Sequence, residues 1–461
     1  MKLIIPVFLA LSRIALGSIT ILDTSDYADL AADAADNALV ADYTTDNGGA
    51  MYQTDHIAGR YFYSDEEISL FYETLSVNAN DTSVLVLTNG STANLSNIEI
   101  IKEGYCTWLN QASFFGVNAA INIANASTAN ITNLNITVHN GAANIFAYGT
   151  GTTVYVSNTD LYSSGPVSHG LYAAGNGTIY AKNVRHYSGG NRCSSFSGDT
   201  PAGYVHVRDS IAHTAGIGSA IFYALGEIYG ANVVGVAEKS PTLFSDGGQK
   251  AAFENVDLTA GLLAGTVMFS SQERLEGASI SFTNSRLTTL TGDMPALWFG
   301  NVIADASIIL TELNTTSGVL VVANSSQVTQ SFDAFVGVEQ NSAIQPAEVS
   351  VLVTDSTLVG DLVAYNGSSI SWNLTEHSSW IGTASTAGNG TGIFSVALDE
   401  TSTWALTGDV SLEEFTNADA SNANVDSGGY NIYVGSSSTV KVRRGARTVS
   451  LPGGGQVRYR V

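Results

Sequence analysis

Positive charge is scarce in this chain: 18 Lys and Arg stand against 41 Asp and Glu, for a formal net charge of −23. Phosphate backbones are bound through clustered cations, and an anionic body repels a polyanion, so nucleic acid is excluded as a partner. Cysteine is almost absent. Cys106 and Cys193 are the two present, 87 residues apart, which argues against a disulfide and against any thiolate metal cluster. Proline is rare at 7 residues, and only 13% of residues are charged while 44% are apolar, so the composition is not that of a disordered chain. After the N-terminus no apolar run reaches the 18 residues that mark a membrane span, and the C-terminal Arg458-Tyr459-Arg460-Val461 is not a lipid-anchor tail. No cofactor or metal motif is present.

At the N-terminus Lys2 precedes Ile4-Ile5-Pro6-Val7-Phe8-Leu9-Ala10-Leu11, and Ala15-Leu16-Gly17 follows, which is the pattern of a signal peptide over residues 1–17. Twelve Asn-x-Ser/Thr sequons accompany it, at Asn80, Asn89, Asn94, Asn125, Asn130, Asn135, Asn176, Asn314, Asn324, Asn366, Asn373 and Asn389. Together they lead us to expect a secreted, N-glycosylated protein, although a chain rich in Asn, Ser and Thr also makes sequons by chance.

What fills the rest is a repeat. Aligned on one Asn or Asp, the chain reads ANLSNIEI around Asn97, NITNLNI around Asn133, VYVSNTDL around Asn158, IYAKNVRH around Asn183 and VHVRDSIA around Asp209. It continues with IYGANVVG around Asn232, AFENVDL around Asn255 and ISFTNSRL around Asn284, at intervals of 36, 25, 25, 26, 23, 23 and 29 residues. Each unit is a short alternating run, a turn residue and then Gly/Ser-rich sequence. One such strand cannot bury its face alone; stacked coils, about 4.8 Å apart, bury a continuous interior. The expected fold class is therefore all-β: a single-domain right-handed parallel β-helix (solenoid) over residues 79–440. An acidic N-terminal capping segment (18–78) precedes it and a basic C-terminal cap or tail (441–461) follows. Beyond Asn284 the spacing becomes irregular and the register is not readable.

Ser168-His169-Gly170-Leu171-Tyr172, Gly177-Thr178-Ile179-Tyr180-Ala181 and Ser402-Thr403-Trp404-Ala405-Leu406-Thr407-Gly408 resemble the β-helix repeats of secreted adhesin-like and autotransporter-passenger proteins. The resemblance runs from about Asn80 to Val434 and implies fold far more than function. Asn158-Thr159-Asp160 with His169-Gly170 resembles only part of the pectin-hydrolase pattern of the pectin-lyase-like superfamily: paired aspartates and a later Arg-x-Lys are missing. Asp160, Asp209, Glu254 and Asp257 are too scattered for a calcium cage, so no metal is expected.

Parity assigns the faces. Two and four residues before the ladder residue lie Val156 and Val154, Ala181 and Ile179, Val207 and Val205, Phe253 and Ala251, which form the inward column. Three before it lie Asn94, Asn130, Tyr155, Tyr180, His206, Tyr229, Ala252 and Ser281, facing outward, with Lys182 and Arg208 one before it and Arg185 just past the strand. This stretch lacks sequons between Asn176 and Asn314 and holds eight of the eighteen cations, whereas residues 287–440 hold none. His169, His186, His206 and His213 also lie in or beside it, His169 and His213 at turns.

An aromatic and cationic strip of this kind offers ring faces to a sugar and cations to a carboxylate. The leading expectation is an adhesin-like protein that binds glycan or cell-wall material through Tyr155, Tyr180, Arg185 and Tyr229. The alternative is a lyase or isomerase acting on an acidic sugar or small metabolite, with Lys182 or His206 as base, Arg208 neutralising an acidic group and Tyr180 or Tyr229 returning a proton. A third possibility is that the rings are cross-strand pairs which only stabilise the sheet. Phe222-Tyr223, Phe244, Phe269 and Trp298-Phe299, recurring once per coil, are expected in the interior of a second sheet, and Cys193 is expected to be a buried thiol.

Overall fold

The computed structural model describes residues 57–107, 109–139, 143–328, 338–339, 343–435 and 448–459. The signal-peptide segment 1–17, most of the acidic segment 18–78, and Lys441, Arg443, Arg444, Arg447 and Arg460 of the basic tail lie outside the described residues.

Strand after strand, a residue pairs in parallel with its counterpart one coil later, and about 15 turns stack into one parallel β-solenoid from residue 58 to 459. Thirteen strands, beginning at Ala58–Ser64 and ending at Ala384–Ala387, form one sheet. The alternating runs form the other walls, and they bend at the ladder residue. Thr153–Ser164 pairs along almost its whole length with Thr178–Ser188, which pairs with Tyr204–Thr214, and that strand with Glu227–Ala237.

The bend has a simple backbone cause. Asn97, Asn133, Asn158, Asn183, Asp209, Asn232, Asn255 and Asn284 all sit at φ between 47° and 56°, the left-handed region that Asn and Asp tolerate best among residues with a Cβ. Their amides then bond along the stack: Asn183 Nδ2 donates to Asn158 Oδ1 at 2.8 Å, and Asn232 Nδ2 to Asp209 Oδ1 at 2.8 Å. The ladder continues past Asn284 through Leu310, Asp355 and Glu376, with φ of 49°, 45° and 53°. Hydroxyls keep the register there. Ser285 N–H donates to Thr311 Oγ1, and Thr311 N–H donates to Ser356 Oγ across an interval of 45 residues.

Inward residues follow parity throughout: Val154, Ile179, Val205 and Ile228 have no exposed surface, and Val156, Ala181 and Val207 almost none. Gly230 occupies one inward position because a Cβ there would come within 3.0 Å of Phe253 and 3.1 Å of Phe222, whose rings fill its space. Later coils use indoles instead, with Trp380 and Trp404 stacked at 4.7 Å and each Nε1 bonded to a main-chain carbonyl, of Gly360 and Gly382.

Two expectations need correction. The first described coil starts at Ala58, and strands Ala58–Ser64, Glu67–Phe71 and Thr74–Asn78 pair into the walls, so residues 58–78 are solenoid and not cap. At the other end, within the segment expected as a cap or tail, Thr448–Ser450 pairs antiparallel with Gln456–Tyr459, which adds in parallel to Ile432–Val434 as the last described strand. The recurrent aromatics do not share one face either. Phe222 and Phe299 join the solenoid interior, whereas Phe244, Phe269 and Trp298 form a separate cluster with Ala220, Ala264 and Val328, with Tyr223 packed against it. Neighbouring strand residues point to opposite faces, and here the outer face of the thirteen-stranded sheet is covered as well.

Candidate functional site

The outward column assembles as parity requires. Tyr155 pairs in register with Tyr180, Tyr180 with His206 and His206 with Tyr229. Ring centroids are 5.4, 4.8 and 4.6 Å apart along this series, with planes within 13°, 18° and 9° of parallel. Beside it Lys182 is the register partner of Arg208 on the next coil. These side chains line one groove of about 840 Å³, extending from Asn130 to Ser281 and Thr283.

The stacking changes what the rings offer. Tyr180 and His206 each have a ring against both faces, so they present rims, a phenol hydroxyl and an imidazole edge, and not open faces. Tyr155 and Tyr229 end the stack. Offset stacks of this kind add roughly 0.5–1.5 kcal/mol per pair beyond their area, so the strip also stabilises the sheet.

Charges around the groove sort into those with and those without a partner among the described residues. Arg185, expected in the strip, instead reaches across to Asp160 with Nε 2.6 Å from Oδ1 and a second contact between the two groups, which holds its pKa above the ordinary guanidinium value. The reason is the bend at Asn183: residues beyond it belong to the adjoining wall. Lys250 pairs with Glu227 at 3.4 Å, and Arg286 with Asp257 and Glu312 at 3.2 and 3.1 Å. Lys182 and Arg208 make no ion pair or side-chain hydrogen bond among the described residues.

Glu227 is the residue the sequence reading missed. It lies two residues before Tyr229 on the same face, a position that alternation alone identifies, and its Oε2 accepts the Tyr229 hydroxyl at 2.7 Å. That bond, then burial and the carboxylate's charge, push the Tyr229 pKa up to about 12, and the same bond holds Glu227 below the usual carboxylate range. His206 is held below the ordinary histidine value by burial, opposed by the Glu227 charge.

His169, His186 and His213 do not line the groove. His169 and His186 are buried, and burial pushes each down to about 3. His186 lies between Ser163 Oγ at 3.0 Å and Ser195 Oγ at 2.8 Å, and His169 Nδ1 accepts the Ser194 N–H at 3.1 Å. His213, on strand Tyr204–Thr214 and not in a turn, contacts Glu238 at 2.8 Å. Cys106 and Cys193 are both buried and unbridged; Cys193 Sγ donates to Gly165 O and accepts the Ser168 N–H.

Among the sequons, Asn80, Asn89, Asn125, Asn130, Asn135, Asn176, Asn314 and Asn389 are exposed, whereas Asn94, Asn324, Asn366 and Asn373 are half-buried. Asn130 adjoins Tyr155 in register, and its Nδ2 donates to Asn94 Oδ1 at 3.0 Å. No group of His, Cys, Asp and Glu among the described residues is arranged to hold a metal ion, and no described helix is long and apolar enough to cross a membrane. No protein-family model, curated protein or solved structure matches the chain.

Proposed function

We propose that this chain is a secreted, glycosylated β-helix protein of adhesin-like type, within the wider pectin-lyase-like group, which binds an acidic glycan or wall polymer along the groove. The observation that carries the reading is the Lys182 and Arg208 pair. In a chain of net charge −23, two cations one coil apart lie on the groove wall with no carboxylate partner among the described residues, while Arg185, Lys250 and Arg286 all have carboxylates. Leaving like charges adjacent costs stability, and a carboxylate-bearing ligand relieves that cost.

The groove suits a polymer better than a small substrate. It extends across successive coils of a continuous ladder, and the turns that flank it, such as Gly175-Asn176-Gly177 and Leu225-Gly226, are short. The proton-transfer reading on Lys182, His206 and Arg208 has less support, because Tyr229, one of its proton donors, commits its hydroxyl to Glu227.

Binding of alginate and hyaluronan oligosaccharides, with neutral dextran oligosaccharides as comparison, tests the proposal by calorimetry. Affinity for the acidic chains that falls with salt and is lost in Lys182→Met/Arg208→Gln supports it. Equal affinity for neutral and acidic chains, or none for either, overturns it.

A further inference from the structure

The stack has two ends, and they are not equivalent. Beyond Tyr155 the next coil carries Asn130, an exposed sequon, so attached glycan would close that end. Beyond Tyr229 the next coils carry Ala252 and then Ser281, both within the groove. A methyl group reaches much less far than a ring, so the column drops by the height of an aromatic side chain at this point. Tyr229 has a single ring contact among the described residues, with His206, and its other face looks over Ala252.

That face is held in place. The Tyr229 hydroxyl donates to Glu227, Glu227 is fixed by Lys250, and His206 backs the ring at 4.6 Å. Around the step the groove presents polar groups, with Glu254 and Thr283 on one side. A rigid aromatic face over a small floor, with hydrogen-bonding groups at its edge, has the chemistry for one pyranose ring: the ring's apolar C–H face packs on the phenol and its hydroxyls reach the carboxylate and threonine. Arg208 lies one coil away on the same wall, at the distance of a neighbouring unit along a chain.

Resting on the glycan-binding reading above, we infer that the step between Tyr229 and Ala252 is the saccharide-stacking subsite of the groove. It takes one sugar ring of an acidic polysaccharide while Lys182 and Arg208 hold carboxylates of adjacent units. Tyr155, Tyr180 and His206 then act as the buttress that holds Tyr229 in place.

Ala252→Tyr tests this directly, because it extends the stack by one ring and fills the step without touching a charge. The stack already accepts a ring per coil, so the variant is expected to melt at or above the wild-type temperature. Binding of an alginate or hyaluronan hexasaccharide is expected to weaken about tenfold, the equivalent of one lost stacking contact. Binding of poly-L-glutamate, which has carboxylates and no sugar ring, should hold. Tyr229→Leu, which removes the ring face by another route, should lose the hexasaccharide equally. Val359→Tyr adds a tyrosine at an exposed site outside the groove and should leave binding unchanged. If wild type binds the hexasaccharide and both Ala252→Tyr and Tyr229→Leu bind it as well, the subsite is overturned and the groove reading stands. If wild type binds neither hexasaccharide, the groove reading fails and the subsite with it.

Discussion

The imidazole of His206 lies flat between two phenols, 4.8 Å from the Tyr180 ring and 4.6 Å from that of Tyr229. Removing it opens a gap in a continuous stack. His206→Ala is expected to lower stability by about 1–2 kcal/mol, and His206→Phe to restore most of it, because the contact is between ring faces and needs no charge. Thermal or urea unfolding of the two variants measures this. Equal loss in both would mean that a polar contact of the imidazole, and not stacking, is what matters.

On the proposed function, the same residue gives binding of an acidic glycan a pH dependence. Burial places the His206 pKa below the ordinary value of 6.5, so the ring is neutral near pH 7 and gains its charge only as the solution becomes acidic through that lowered value. An imidazolium beside Lys182 and Arg208 adds attraction for a carboxylate, so affinity for an acidic oligosaccharide is expected to rise as pH falls through the His206 titration. In His206→Phe this rise should disappear. A wild-type profile that is flat, or that falls with acidification over that range, contradicts the placement of His206 in the binding groove.

His186 and His169 set an acid limit on the fold. Both have folded-state values of about 3 against 6.5 unfolded, so between these limits the unfolded chain binds protons that the native one does not. Stability is therefore lost as pH falls from 6.5 toward 3, at up to about 1.4 kcal/mol per pH unit for each ring. Asp199 works in the opposite direction, since burial raises its carboxyl and acid relieves that penalty. The difference in slope between wild type and His186→Gln isolates one histidine, and the variant is expected to show the shallower dependence in urea unfolding measured at several pH values.

Leu310 holds a ladder position at φ 49° and is 47% exposed. The left-handed conformation costs a branched residue more than it costs Asn, and little burial is lost on replacement. Leu310→Asn is expected to stabilise the solenoid by about 1 kcal/mol and to extend the amide ladder from Asn284, read as a rise in melting temperature. A lower melting temperature would mean that the leucine's remaining contacts outweigh the backbone strain.

Tyr155, Tyr180, His206 and Tyr229 were legible as neighbours because two facts fix them: alternation chooses the face, and a recurrent Asn or Asp fixes the count from coil to coil. The same count brought Lys182 beside Arg208. It failed for Arg185, which lies past the left-handed residue, where the strand turns onto the next wall and the column it belongs to changes. It also stopped at Asn284. The backbone turn persists at Leu310, Asp355 and Glu376, but the side chains at these positions vary, and the register passes to the hydroxyls of Thr311, Ser356 and Ser378.

The sequence by itself determined the solenoid, its inward column and which wall carries rings and cations, because each follows from a period of two and an interval between turn residues. Only the tertiary structure decided what those rings present. Whether a ring offers its face or its rim depends on side-chain torsions and on the distance between coils, neither of which a one-dimensional pattern contains. Which cations find a carboxylate is decided in the same way, since those that neutralise Arg185 and Lys250 come from coils 25 and 23 residues away.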